Sequence, residues 1–267
     1  MRYLALLAVL ATSASADSVR VLSWNAESGG NDPAIIARQL SEFDRADFYC
    51  LQEVGSGSIG RYGAAIRDAY GKAYRFVPSV TGRGDRLLII YDSERFELME
   101  IRELFKHEDY RLNDWSHRSP LLLEVEERKS GVEFGVMTVH LARGDKKRRC
   151  EQAIGLNYWG RARTNPVIAV GDFNFDFDYR TDRGNKAYGE FTSEGSPWRW
   201  VRPAEDIDTN WSDRDGDGRD NYPDSCLDFA FVVGISDATA RVVVRDGDFP
   251  DDGRTSDHRP IELVVSP

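Results

Sequence analysis

The 267 residues are 41% hydrophobic and 30% charged, with 23 glycines and 10 prolines. This composition excludes a collagen-like or low-complexity chain, and the length suffices for one large domain with a substantial core. A net charge of −10 argues against a partner held by overall positive charge, but nine acids lie between Glu205 and Asp228 against only Arg214 and Arg219. A local acidic cluster can be neutralised by a bound cation, so the global sign decides little about substrate.

The chain opens with MRYLALLAVLATSASA, one cation followed by a short apolar run and a small-residue Ala14-Ser15-Ala16 end. This is the pattern of a secretory signal over residues 1–16, too short to span a bilayer, and it predicts a secreted or periplasmic protein with a single domain over 17–267. Strand signals follow at SVRVLSW, ADFYCLQEV, RLLIIY, SPLLLEVE, VEFGVMTVHL, PVIAVGDF, CLDFAFVV, ATARVVVRD and RPIELVV. All are short, rich in β-branched or aromatic residues, and bounded by turn formers. Helical spacing appears in DPAIIARQLSEF, IGRYGAAIRDAYG and KKRRCEQAIGLNYWGRAR, the first with an Asp cap and Pro in its first turn. Strands outnumber helices and several are hairpin-spaced, which predicts two packed sheets with helices outside. Residues 179–225 show little strand or helix pattern, as expected of a functional or metal-stabilised loop. Three cysteines, Cys50, Cys150 and Cys226, permit one disulfide in an oxidising compartment; Cys150 with Cys226 is the default pair, and three reduced, buried thiols are an equal alternative.

The apolar runs end in polar residues: Asn25, Glu53, His140, and Asp172 with Asn174 two positions on. Strand ends from several segments are how α/β enzymes assemble a site on one rim. In an extended chain Asp172 and Asn174 project to the same side. Asp228 sits inside an apolar run, where a carboxylate requires a partner. His258 is a suitable base near neutral pH, and Glu53 is the first candidate for a hard cation that takes one or two carboxylates. The segment DRDGDGRDNYPD has Asp213, Asp215 and Asp217 at positions one, three and five of a twelve-residue calcium loop, the Arg219 carbonyl at seven and Asp224 at twelve, so a structural Ca²⁺ is expected there.

Taken in order, SWNAE, LQEV, the histidine of TVHL, GDFN, LDFAFV and SDHRPI resemble the endonuclease/exonuclease/phosphatase superfamily, over nearly the whole chain after residue 16. The resemblance implies a four-layer α/β/β/α sandwich of two mixed, mainly antiparallel sheets, and hydrolysis of phosphate esters dependent on Mg²⁺ or Mn²⁺. It implies metal ligation by Asn25, Glu53 and Asp257, and a base His258 oriented by Asp228. By the same resemblance Asp172 and Asn174 activate water or serve the leaving oxygen, and His140 binds phosphate and can act as second acid. Asp85 stands where relatives carry a Glu that pairs with that histidine, and Arg118 matches an arginine that approaches phosphate. His140 also aligns the chain with the deoxyribonuclease I and sphingomyelinase branch.

Nucleic acid is the leading substrate, supported by the basic run Arg143, Lys146, Lys147, Arg148 and Arg149. A membrane lipid is the alternative, with Trp198 and Trp200 as an interfacial contact. A sugar or inositol phosphatase and a non-catalytic binding protein remain open, and no protein partner is implied.

Overall fold

The computed structural model describes residues 17–113, 118–211, 217, 219–220, 225–245 and 254–267. In chain order the strands are β1 (Val19–Asn25), β2 (Phe48–Gly55), β3 (Tyr74–Pro78), β4 (Asp85–Asp92), β5 (Phe96–Glu103), β6 (Lys106–His107) and β7 (Tyr110–Arg111). They continue with β8 (Leu121–Glu127), β9 (Glu133–His140), β10 (Val167–Phe177), β11 (Arg199–Trp200), β12 (Cys226–Val233), β13 (Asp237–Val242) and β14 (Ile261–Ser266). The helices are α1 (Pro33–Glu42), α2 (Ile59–Tyr70), α3 (Lys146–Arg161) and α4 (Lys186–Phe191).

Two six-stranded sheets form, in the orders β13-β14-β1-β2-β4-β3 and β11-β12-β10-β9-β8-β5. Each has one parallel pair at its centre, β1 with β2 and β9 with β10, and antiparallel neighbours elsewhere. Parallel strands need a crossover, and α1 and α3 supply it. The central strands are apolar on both faces because both faces are covered. Val19, Val21, Phe48 and Cys50 of one sheet meet Val136, Ile168, Val170 and Ala230 of the other in the inter-sheet core. Alternate residues of the same strands, Leu22, Trp24, Tyr49 and Leu51, pack outward with Ile36, Leu40 and Ile66 of α1 and α2. Met137, Val139, Phe173 and Phe229 pack with Ala153 and Leu156 of α3. The result is the four-layer α/β/β/α sandwich.

The helix starts follow their capping chemistry. Asp32 accepts the Ala34 amide at 2.8 Å ahead of Pro33, and Asp145 accepts the Arg148 amide at 3.0 Å. The described part of residues 179–211 contains α4 and β11, where the sequence showed little pattern. Trp198 is buried, and Trp200 packs on Phe177 at 4.8 Å and Phe229 at 5.2 Å between ring centroids. Both tryptophans therefore belong to the outer core, contrary to an interfacial role. The Cys150–Cys226 disulfide is not formed: all three thiols are free, and Cys226 accepts the Tyr179 hydroxyl at 3.4 Å. Residues 1–16, and Asp213, Asp215 and Asp224 of the expected calcium loop, lie outside the described residues. Within that segment the Asp217 carboxylate accepts the Arg219 amide at 2.9 Å.

Candidate active site

The carboxyl ends of the two central parallel pairs meet at one rim. Asn25 ends β1 and His140 ends β9; Glu53 lies late in β2, and Asp172 and Asn174 in the distal part of β10. Below them Gln52 of one sheet donates to Thr138 of the other at 2.8 Å, both fully buried, which ties the sheets directly under the rim. From the antiparallel neighbours come Asp228, third in β12, and His258, just before β14.

Two backbone irregularities aim these side chains. The β2/β4 register shifts between Leu51 and Val54, with Glu53 at φ 49°; the β10/β12 register shifts between Asp172 and Phe177, with Asn174 at φ 52°. Non-glycine residues in the left-handed region are uncommon and cluster where a site stores strain. Asn174 thus does not extend alongside Asp172 as a regular strand would have it. Its amide nitrogen bonds back to Asp172 Oδ1 at 2.9 Å, while its side chain donates to the Leu141 carbonyl at 3.0 Å. Bulges of this kind re-aim side chains beside active sites.

Asp172 Oδ2 is the hub. It accepts Asn25 Nδ2 at 3.1 Å and lies 3.4 Å from His140 Nε2. Asn25 Nδ2 also approaches Glu53 Oε1 at 3.3 Å and His258 Nε2 at 3.5 Å, while its Oδ1 accepts the Glu27 amide at 3.0 Å. With Oδ1 on that backbone amide, Asn25 turns its donor towards the carboxylates. Among the acids, histidines and cysteines of the described residues, ligand atoms of Glu53, His140 and Asp172 converge within 4.8 Å of one another. Asp257 stands apart, its Oδ1 3.7 Å from His258 Nε2. Of the expected ligands, Glu53 lies in this cluster, Asn25 adjoins it and Asp257 lies beside His258.

His258 Nδ1 lies 2.7 Å from Asp228 Oδ2, both buried. Burial disfavours charge on this imidazole, but the carboxylates of Asp228, Asp172 and Asp257 outweigh it and push His258 up. His140 moves the other way: burial, then the Arg118 guanidinium, His258 and Arg143, hold it well below the usual range and keep it neutral. Burial first, then Asp228 and Glu53, push Asp172 up despite His258.

Arg118 sits between Asp85 and His140, donating to Asp85 and lying 3.2 Å from His140 Nε2. Asp85 and His140 are thus bridged by the Arg118 guanidinium instead of pairing directly. Arg118 shares its charge with Asp85 and remains beside the imidazole. Since Arg118 can only donate, His140 Nε2 accepts and Nδ1 carries the proton; that buried Nδ1 has no hydrogen-bond partner and stands 3.6 Å from Glu53 Oε1.

Several supporting residues carried no signal strong enough to single out. Glu27 follows Asn25 in the same motif and accepts the Asp257 amide at 2.9 Å; burial, then the Asp257 charge, push its carboxyl up to about 7. Thr209 Oγ1, fully buried, accepts the amides of Leu227 and Asp228, each at 3.0 Å, and Asn210 Nδ2 donates to the Asp257 carbonyl at 3.1 Å. Ser256 Oγ donates to the Asn25 carbonyl at 2.6 Å and accepts the His258 amide at 3.0 Å. These contacts join residues distant in sequence, so no local pattern reveals them.

The donor set fits a divalent cation: two carboxylates supply oxygen, beside the buried, neutral imidazole of His140.

The sequence pattern of the Endonuclease/Exonuclease/phosphatase family matches residues 22–258. No curated protein matches the chain in sequence. Among solved structures, a mannosyl-6-phosphatase of Bacteroides thetaiotaomicron is similar at 20% identity, covering 92% of this chain and 99% of its own, with a TM-score of 0.67. D. rerio TDP2 complexed with single strand DNA product is similar at 17% identity, covering 94% and 100%, with a TM-score of 0.70. Truncated Caenorhabditis elegans TDP2 gives 16%, 94% and 98%, and 0.69. At these identities the likeness is one of fold.

Proposed function

The chain belongs to the endonuclease/exonuclease/phosphatase family, and on that premise we propose that it is a divalent-metal-dependent phosphodiesterase that cleaves nucleic acid by attack of water on phosphorus. The family is one of phosphoesterase and nuclease-type hydrolases; the choice of a diester and of nucleic acid is our reading. The observation that carries it is the buried His258–Asp228 pair at 2.7 Å, whose free imidazole nitrogen faces Asn25 and lies beside the Glu53, His140 and Asp172 cluster.

Asp228 fixes the tautomer of His258 with the proton on Nδ1, which leaves Nε2 to accept a proton from water, and it stabilises the imidazolium that forms. The new oxygen–phosphorus bond forms as the ester bond on the opposite side breaks, and the leaving oxygen takes a proton. Asp172 and Asn174, locked together by the bulge, orient the water and the leaving oxygen. Neutral His140 and Arg118 meet the non-bridging phosphate oxygens as donors. Glu53 and Asp172 would hold a divalent cation, which supplies polarisation of the phosphoryl oxygen and offsets the carboxylate charge that keeps His258 protonated. The N-terminal pattern supports export, and the spacing of Asp213, Asp215, Asp217, Arg219 and Asp224 supports a separate Ca²⁺ loop.

The lipid alternative has lost the two tryptophans that favoured it. The test is purified protein, with and without EDTA, on plasmid DNA, RNA, sphingomyelin and a sugar phosphate. Metal-dependent cleavage of DNA or RNA is expected; cleavage confined to sphingomyelin or to the monoester would overturn the nuclease reading.

A further inference from the structure

Between the first turns of α3 and α4 lies a cavity of about 270 Å³, lined by Lys146, Arg149, Cys150, Asp176, Asn185 and Lys186. Its walls are continuous with the active-site backbone. Asn185 Nδ2 donates to the Asn174 carbonyl at 2.8 Å, and Arg149 Nη1 donates to the carbonyls of Ala142 and Arg143 at 2.8 and 2.7 Å, just after His140. The cavity is thus one backbone layer away from Asn174 and His140.

Its charged groups are mainly cationic, set in a wall whose exposed atoms are otherwise mostly apolar. Three cations face one carboxylate in a protein of net charge −10. That carboxylate, Asp176, is already engaged by Asn185 Nδ2 at 2.7 Å and by Arg149 at 3.6 Å. Buried Arg149 is held by carbonyls and braces the wall, while Lys146 and Lys186 are exposed and make no ion pair among the described residues. The neighbouring rim, with Glu27, Glu53, Asp172, Asp228 and Asp257, repels a polyanion, and cations at its flank counter that repulsion. The volume is below the roughly 300–1,000 Å³ that encloses a drug-sized ligand, which suits one ionic group of a longer substrate. Lysine ammonium groups bind phosphate as point charges.

We propose that this cavity is a second anion subsite, which takes a phosphodiester group of a nucleic-acid strand next to the one being hydrolysed. The inference rests on the phosphodiesterase reading above and deepens it, because only a substrate with repeated phosphates fills both sites. The test is equilibrium binding of a fluorescent single-stranded DNA dodecamer in EDTA over a range of salt, for the full-length protein and for Lys146→Ala/Lys186→Ala. Single-strand binding loses about 0.7 in the log–log salt slope per phosphate contact. The double variant should therefore flatten the slope by about 1.4 and weaken binding about fivefold or more. With metal restored, its KM for the dodecamer should rise in step while turnover of bis(4-nitrophenyl) phosphate, which has a single diester, is unchanged. Equal dissociation constants and slopes for the two proteins, or no binding by either, overturn the subsite. Lysine-dependent binding without hydrolysis of either substrate overturns the phosphodiesterase reading and leaves the anion site standing.

Discussion

Asp172 concentrates the chemistry of the rim in one carboxylate that is 2% exposed and shared by Asn25, Asn174 and His140. Burial pushes it up, so the fold favours its protonated form, and this group's contribution to stability falls as pH rises from its unfolded value near 3.9 through the raised value. Asp172→Asn removes that titration. The metal-free variant should show a flatter Tm against pH than the wild type over pH 4 to 8, with activity reduced about a hundredfold or more; parallel Tm curves would contradict the assignment. Asp172, Glu53, His140 and Asp228 were legible in the sequence because each ends or interrupts an apolar run, and His258 through the SDHRPI motif. Glu27, Thr209 and Ser256 were not, since they act through hydrogen bonds to backbone groups remote along the chain. Asp85 was legible as a position but not as a partner: the Arg118 guanidinium that bridges it to His140 is not visible in sequence.

β10 shows how one strand both builds the core and breaks its own regularity. Phe173, Phe175 and Phe177 pack outward among Phe191, Phe229 and Phe231, while the shift after Asp172 turns Asn174 into the rim. Gly171, at φ 140°, makes this geometry accessible: a Cβ there would collide with the Val139 carbonyl of the neighbouring strand. Gly171→Ala should cost more than about 1 kcal/mol in urea unfolding and lower kcat together with stability, because the same backbone carries Asp172; unaltered midpoint and rate would contradict this. Asp176, in the irregular end of β10, is held by Asn185, and Asp178, just past the strand, accepts the Arg180 amide at 2.8 Å. The central strands were legible because burial on both faces makes them continuously apolar. β5 was missed because it is an edge strand with exposed polar alternation, and α4 because six residues with an internal glycine carry no periodicity.

At the scale of the molecule, two sheets each bring one parallel pair to a common rim, and the long connection from β11 to β12 returns to brace it through Thr209 and Asn210. If the acidic segment that follows binds Ca²⁺, a hundredfold excess over Kd adds about 2.7 kcal/mol, or roughly 2–4 °C per kcal/mol for a chain of this size. A calcium-dependent rise in Tm that disappears in Asp215→Asn/Asp217→Asn supports the loop; no shift in the wild type removes it. Two packed sheets with helices outside followed from strand number and spacing, whereas the state of the cysteines depended on side-chain placement: Cys226 is buried against Tyr179 and Cys150 lines a different wall. The most direct measurement is hydrolysis of bis(4-nitrophenyl) phosphate by the purified chain with EDTA, after Mg²⁺ or Mn²⁺ is restored, and in His258→Ala, with circular dichroism as the check on folding. The proposed mechanism requires hydrolysis that EDTA abolishes, that the cation restores, and that the folded His258→Ala variant lacks. Undiminished hydrolysis in EDTA or in that variant, or none by the wild type with either cation, would contradict it.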